Sequence, residues 1–241
     1  MSSTRRRRPI VAIDGPAASG KSTTARAVAD ALGFQHIDSG ALYRAVTLIA
    51  LELPEPPERW RAEELVTRAR ALGVSLARSS AAGALEVMVQ GRSVGERLRG
   101  DAVTREVSRV AALGPVRDFV NGLIRAAAPD GGVVLDGRDI GTAVFPDAEV
   151  KVFLVADPEE RARRRLAERG STPDAMGVRA EADALVRRDE RDASRDVAPL
   201  VRAPDAVLLD TTALSFEQQV RAIVDLARQR APSLDRTGGG G

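Results

Sequence analysis

The sequence predicts an α/β fold built on a five-stranded parallel sheet flanked by helices, on three observations. Short apolar runs rich in β-branched residues alternate with helical patterns. Each run closes in a cluster of small or polar residues. One interval between runs, 39–131, is far longer than a crossover helix needs and must hold an inserted subdomain.

The runs span 10–14, 34–38, 133–136, 150–156 and 206–210. Near-continuous apolarity of this kind suits strands buried on both faces of a parallel sheet. The pattern over 21–32 predicts a helix, stopped by Gly33 where a left-handed cap is expected. Inside the insert, 74–77 and 85–90 read as the strands of a small antiparallel sheet around a turn at 79–83, with helical stretches on either side. Asp157-Pro158-Glu159-Glu160 opens another helix, with an N-cap carboxylate, proline in the first turn and a glutamate three residues on. The last helix opens at Ser215, with Gln218 as capping partner, and stops before Pro232. Residues 9–38 and 131–231 therefore form the core and 39–130 the insert. Residues 1–8 are expected to be a disordered basic tail and 232–241 a flexible one.

Composition narrows the chemistry. The 241 residues include no cysteine and a single histidine, His36. Disulfides, thiolate nucleophiles, histidine metal clusters and Ser-His triads are set aside on that count. Carboxylates, arginines, hydroxyls and backbone N–H groups remain, which is a toolkit for phosphates. The net charge of +2 includes four arginines at Arg5 to Arg8, so the rest is slightly acidic. No apolar stretch approaches the ~20 residues of a membrane span, and no secretory signal is evident, so a cytoplasmic location is expected.

In open α/β sheets ligands bind beyond the carboxyl ends of the strands. There the sequence places 15–23, 39–44, 137–142, 157–165 and 211–212. The first cluster, Gly15-Pro16-Ala17-Ala18-Ser19-Gly20-Lys21-Ser22, fits the phosphate-loop pattern between a strand and a helix, with Thr23 next. Its glycines let successive N–H groups turn inward, and the helix adds the positive end of its dipole. Lys21 is expected on the β- and γ-phosphates of ATP and the Ser22 hydroxyl on Mg²⁺. The chain has two lysines against 34 arginines, so a lysine at this place is informative. Lys151, the other one, reads as a strand-edge charge.

The remaining motifs decide between P-loop classes. The Asn-Lys-x-Asp loop of GTPases is absent, since Asn121 is the one asparagine and glycine follows it. The apolar run ending in Asp136 offers a carboxylate to support Mg²⁺, directly or through water. It lacks the adjacent glutamate with which ATPases activate water. Transfer to a bound acceptor fits better than hydrolysis. Arg44 and Arg138 follow strand ends, where they can meet an anionic acceptor. Arg188, Arg191, Asp192 and Arg195 share one helical face, with Ala182, Val186, Ala193 and Val197 opposite and expected on the core. A stripe of this kind is more often a solvated surface. The same holds singly for Arg161, Arg163, Arg164 and Arg165.

Three stretches resemble bacterial-type cytidylate kinases. They are Asp38-Ser39-Gly40-Ala41-Leu42-Tyr43-Arg44, the run from Asp136-Gly137-Arg138-Asp139 to Phe145-Pro146-Asp147-Ala148, and Arg188-Asp189-Glu190-Arg191-Asp192 through Pro199-Leu200. The similarity covers nearly the whole chain, from Ile10 to about Arg228, and implies a nucleoside monophosphate kinase with MgATP and CMP or dCMP as substrates. The insert then corresponds to the nucleotide-monophosphate subdomain, and 157–180, including Arg161, to a short lid over ATP. The resemblance implies that Arg44, Arg138 and Arg195 hold the CMP phosphate and that Arg188 and Asp192 face the ribose. It places Ser39, Ser108, Arg117 and Asp139 around cytosine, with Ser108 and Arg117 carried by a weaker stretch that Gly114-Pro115 interrupts. Lys21, Arg138, Arg161, Arg188 and Arg195 would be the catalytic cations. Asp139 has a second reading, in which it merely orients neighbouring Arg138.

Two rivals stand beside this reading: a kinase for another small acceptor such as UMP or shikimate, and a nucleotide-gated RNA-binding protein using the arginine tail. The seven aromatics give the second little stacking surface, so no nucleic-acid or membrane partner is expected, and the chain is expected to be a monomer.

Overall fold

The computed structural model describes residues 8–78, 85–170 and 174–231. Strand β1 (Ile10–Asp14) leads through the phosphate loop into α1 (Lys21–Leu32), then β2 (Gln35–Asp38). The insert comprises α2 (Ser39–Ala50), α3 (Ala62–Ala71), β3 (Ser75–Arg78), β4 (Leu85–Val89), β5 (Arg92–Ser93), α4 (Asp101–Val110) and α5 (Gly114–Ala127). The core resumes with β6 (Val133–Gly137), β7 (Val150–Val155), α6 (Pro158–Glu168), α7 (Ala175–Ala193), β8 (Val207–Asp210) and α8 (Phe216–Arg230).

The five core strands form one parallel sheet in the order β2-β6-β1-β7-β8. Alternation along β1 sends Ile10 and Ala12 to one face and Val11 and Ile13 to the other, all fully buried. On the first face they join Ile37, Leu135 and the helices of the insert, and on the second they meet α1 and α8. Order β2-β6-β1 sets the carboxyl ends of three strands side by side, with Asp14 opposite Gly137 and Asp38 opposite Asp136. The site is built on that edge.

Several boundaries differ from the sequence expectation for identifiable reasons. Phe34 belongs to the cap of α1 rather than to β2, because its N–H donates to Ala29 O at 2.8 Å beside left-handed Gly33. β4 ends before Gln90, since Gln90 and Gly91 both take positive φ and make a two-residue turn into β5, a strand the sequence did not suggest. The expected turn at 79–83 lies outside the described residues. β8 is not buried on both faces: it is the sheet's edge, and Leu208 is 50% exposed. The Ser215–Gln218 capping box forms as expected. At Asp157 the carboxylate does cap the helix, but Glu160 pairs with Arg164 instead of closing a box.

Two charges were misplaced by the sequence reading. Lys151 is not an edge charge, because β7 lies between β1 and β8; it is buried, with Nζ 2.5 Å from Pro146 O and 2.9 Å from Asp205. Arg8, assigned to the disordered tail, packs its guanidinium over Phe34 and donates its backbone N–H to Asp130 O at 3.0 Å.

Gly15 turns the chain out of β1 with φ +149°, and a Cβ there would lie 2.1 Å from Leu154 O on β7. Backbone cannot withdraw without breaking the β1–β7 ladder. Gly15→Ala is therefore expected to destabilise the protein by at least about 2 kcal/mol in urea denaturation.

Candidate active site

The phosphate loop is anchored at its root. Asp14, closing a fully buried strand, accepts from the N–H groups of Ile140 and Gly141 at 2.8 and 2.7 Å. Burial pushes its carboxyl up to about 6 against the pull of those donors. The loop then passes through left-handed Ala18 and Gly20, the backbone alternation from which N–H groups converge on an anion. Lys21 folds back on its own loop, with Nζ 2.5 Å from Pro16 O. Burial first, and then the nearby Arg138, lowers its pKa to about 7, so an anion arriving in the loop would favour the charged form.

Ser22 Oγ donates to Asp136 Oδ2 at 2.5 Å, while Asp136 Oδ1 lies 2.7 Å from His36 Nε2. Ser39 donates to the backbone carbonyl of Asp136 at 2.7 Å, tying the start of α2 to the end of β6. The hydroxyl and carboxylate of Ser22 and Asp136 are hard oxygen donors suited to Mg²⁺. Among the described residues no group of three or more His, Cys, Asp or Glu side chains would hold a metal by itself. Such a pair fits an ion delivered on nucleotide phosphates rather than one held in an all-protein cage.

Asp189 received no role from the sequence. Its carboxylate accepts from Ala17 N–H in the loop at 3.0 Å and from Arg161 Nη1 at 2.5 Å, and Arg161 also reaches Ala17 O at 3.0 Å. α6 and α7 are thus tied to the phosphate loop by one buried arginine and one acid. Nothing in the spacing of Asp189 signals this contact, whereas a charge ending the apolar run at Asp14 was a visible clue.

Beyond the loop the arginines gather. Asp192, 1% exposed, accepts from Arg138 at 3.0 Å, Arg195 at 2.5 Å and Ser108 at 3.1 Å. Burial opposes its ionisation, but Arg138, Arg195 and Arg188 outweigh it and hold the carboxyl below its ordinary range. Arg188 lies within the same field, with a buried Nε lacking a hydrogen-bond partner. Burial, then Arg138, brings its pKa down to about 9 despite Asp192, with Arg44 and Arg165 adding to the fall. Arg44 donates to Leu98 O at 3.1 Å and Thr104 Oγ1 at 3.0 Å. Its pKa is lowered by burial, with Arg165 and Arg138 contributing against Asp38.

Three of the four stripe residues, Arg188 and Asp192 on α7 and Arg195 just after it, therefore face the cleft, contrary to the solvated surface the pattern favours. Val186 and Val197, expected on the core, are 36% and 46% exposed, and Ala193 is exposed too. Arg191 points outward. Ala182 does pack, with Val178 and Leu185, against Ala17 and Ala162.

The residues expected around the base adjoin this cluster. Arg117, buried, forms an ion pair with Asp139, donates to Ala111 O at 2.9 Å and lies over the Tyr43 ring. Ser108 is turned to Asp192, and Arg195 also reaches Ser108 O at 3.3 Å. The alternative in which Asp139 orients Arg138 does not hold: Arg138 pairs with Asp192 and Asp139 with Arg117.

A phosphate loop with its lysine and hydroxyl, set beside a convergent group of arginines, defines a P-loop phosphotransferase. A family model described as cytidylate kinase matches residues 11–229, and the chain belongs to the cytidylate kinase family. It is 44% identical over 227 residues to the cytidylate kinase of Chlorobaculum tepidum, covering 91% of this chain and 93% of that one. It is 46% identical over 228 residues to the cytidylate kinase of Geobacillus kaustophilus, covering 93% and 99%. It also matches a bifunctional pantoate ligase/cytidylate kinase of Prochlorococcus marinus at 40% identity, across 43% of that longer protein.

Asp192→Asn removes the buried charge that three half-buried guanidiniums share, and is expected to cost about 3 kcal/mol at pH 7. A carboxyl with a depressed folded pKa contributes its stability above its unfolded value and loses it as pH falls through the folded one. Urea denaturation as a function of pH should therefore show the gap between native protein and variant narrowing below about pH 4.

Proposed function

We propose that this chain transfers the γ-phosphoryl group of ATP to CMP and dCMP, giving ADP and CDP or dCDP. The observation that carries this reading is the arginine cluster. Arg44, Arg138, Arg188 and Arg195 come from α2, the end of β6, α7 and the turn after it. Burial first, and then neighbouring arginines, lowers the pKa values of Arg44, Arg188 and Arg195, while Arg138, Arg188 and Arg195 gather around one acid, Asp192. Such a group is complete only when an anion joins it, and a nucleoside monophosphate supplies one. Its place beside Lys21, whose pKa Arg138 lowers, puts that anion next to the phosphate loop.

In this reading Gly15 to Thr23 hold the ATP phosphates, through Gly15, Pro16, Ala17, Ala18, Ser19, Gly20 and Thr23 along the loop and Lys21 and Ser22 by side chain. Arg44, Arg138 and Arg195 fix the CMP phosphate, Arg188 and Asp192 lie at the ribose, and Arg161 closes over ATP. An oxygen of the CMP phosphate attacks the γ-phosphorus in line as the bond to the ADP oxygen breaks, and the cations offset charge throughout. Ser22, and Asp136 directly or through water, would hold Mg²⁺ on the protein side, and the ion would add to the neutralisation of phosphoryl charge. No strong general base is needed, in keeping with a chain that has one buried histidine. The reading also takes the chain to be a monomer acting on free nucleotides of the cytoplasm.

A panel of CMP, dCMP, UMP and shikimate with ATP tests the assignment, and turnover is expected with the cytidine nucleotides first. Lys21→Met should keep the fold and lower kcat/KM by roughly two or more orders of magnitude, since the ammonium stabilises charge that shifts in the transition state. Near-normal turnover by the folded variant would remove the phosphate loop from the reaction.

Base choice should rest on Asp139. An ionised carboxylate only accepts, so it suits the 4-amino group of cytosine and repels the 4-carbonyl of uracil. Measuring kcat/KM for both bases, Asp139→Asn is expected to shrink the CMP/UMP ratio about tenfold or more, chiefly through lost CMP activity. Equal losses on both substrates would make the Arg117–Asp139 pair purely structural.

A further inference from the structure

His36 is the chain's only histidine and the reaction calls for no titrating imidazole, yet the ring is buried within the site. Its position follows from the sheet. β2 and β6 run parallel, with His36 opposite Val134 and Asp38 opposite Asp136. Alternation puts residues 36 and 38 on one face of β2, so His36 reaches Asp136 along the same pleat. Nε2 meets Asp136 Oδ1 at 2.7 Å, while Oδ2 takes the Ser22 hydroxyl at 2.5 Å. A carboxylate oxygen accepts, so in this contact Nε2 is the donor.

The two oxygens of Asp136 thus have different tasks. One is held by an imidazole that is itself fixed in a strand interior. The other faces the hydroxyl that opens the phosphate-loop helix. The terminal torsion of an aspartate is soft and roughly two-fold, so a single contact to Ser22 would leave the carboxylate plane free to swing. A second anchor at the far oxygen sets it. Partners of this kind, one shell removed from a metal, are worth about 10–100-fold in metal affinity or activity elsewhere.

We propose that His36 is a positioning residue for phosphoryl transfer: it fixes the Asp136 carboxylate so that the oxygen beside Ser22 is presented to the divalent cation that arrives with the nucleotide. The inference rests on the reading of Ser22 and Asp136 as the cation's protein-side partners. A histidine that only filled space would be replaceable by any ring of its size.

The test is Mn²⁺ affinity, read by electron paramagnetic resonance on the full-length protein with ADP, for the native chain, His36→Phe, Asp136→Asn and the double variant. Phe keeps the ring volume and removes the nitrogen. His36→Phe is expected to bind Mn²⁺ about tenfold more weakly. It should shift the Mg²⁺ dependence of kcat upward by a similar factor and leave KM for CMP unchanged. In the Asp136→Asn background His36→Phe should add nothing, because its effect passes through the carboxylate. If His36→Phe does not fold, His36→Asn replaces it; its shorter amide cannot span to Asp136, and the same loss is expected. Native Mn²⁺ affinity in the His36 variant, with weaker binding in Asp136→Asn, overturns the role of His36 and leaves the cation assignment standing. An additive loss in the double variant overturns it as well. Native affinity in Asp136→Asn removes the cation assignment, and the positioning role falls with it.

Discussion

Mutual repulsion among cations is the constraint on which the rest of this structure turns. A cleft that brings two anionic phosphates together has to keep lysine and several arginines close to one another. The chain meets this by storing each cation on its own oxygen atoms: Lys21 on Pro16 O, Arg161 on Asp189, Arg138 and Arg195 on Asp192, and Arg117 on Asp139. The storage is incomplete at Arg161 and Arg188, each with a buried Nε lacking a hydrogen-bond partner, and burial brings the pKa of Arg188 down to about 9. A charged hydrogen bond contributes about 1.5–3 kcal/mol, and leaving one group of a pair unmet in a buried site costs as much or more. In the proposed function, that residual deficit would favour an incoming phosphate.

The same constraint explains which parts of the molecule the sequence revealed. The phosphate loop was legible because its chemistry is local: eight consecutive residues carry the glycines, the lysine and the hydroxyl. The buried strands were legible because a parallel sheet covered on both faces leaves unbroken apolar runs, and β8 misled only in being an edge. Helix α7 was misread because hydrophobic periodicity assumes that the apolar side seeks the interior. Here the interior beside α7 is the cleft, so Asp192 is buried while Val186 and Ala193 meet solvent. Pairs distant in sequence were out of reach altogether. Asp189 with Ala17 and His36 with Asp136 depend on how the elements stack, which no spacing encodes. Arg117 and Asp139 were brought together by resemblance, but their ion pair was not foreseen.

The sheet order converts this electrostatics into position. With β1 central and β6 beside it, Asp14, Asp136 and Asp38 stand along one edge, each at or one residue before the end of its strand and each engaged by a neighbour. Asp14 spans the two strand ends, so the phosphate loop and the turn carrying Arg138 and Asp139 share an anchor. A shift of one relative to the other would break two bonds to a buried carboxylate. That rigidity matters because in-line transfer tolerates little misplacement of the reacting oxygens.

Rigidity on that side leaves the question of where the cleft yields to admit nucleotides. The insert is joined to the sheet by a continuous apolar cluster in which Ile37 and Leu135 pack with Val107, Val116 and Val120. Exposing even a few such side chains costs about 1.5–3 kcal/mol each. Across the cleft, α4 meets the end of α7 through polar contacts instead: Ser108 with Asp192, and Arg195 with Ser108 O. Hydrogen bonds to charged groups contribute about 1.5–3 kcal/mol apiece. With two such bonds against the many side chains of the apolar cluster, the polar seam is the weaker one. Its residues are among those proposed above to hold the nucleoside monophosphate. A ligand that took over Arg195 and Asp192 in that way would loosen the seam's own bonds as it formed new ones, so opening and binding would draw on the same contacts.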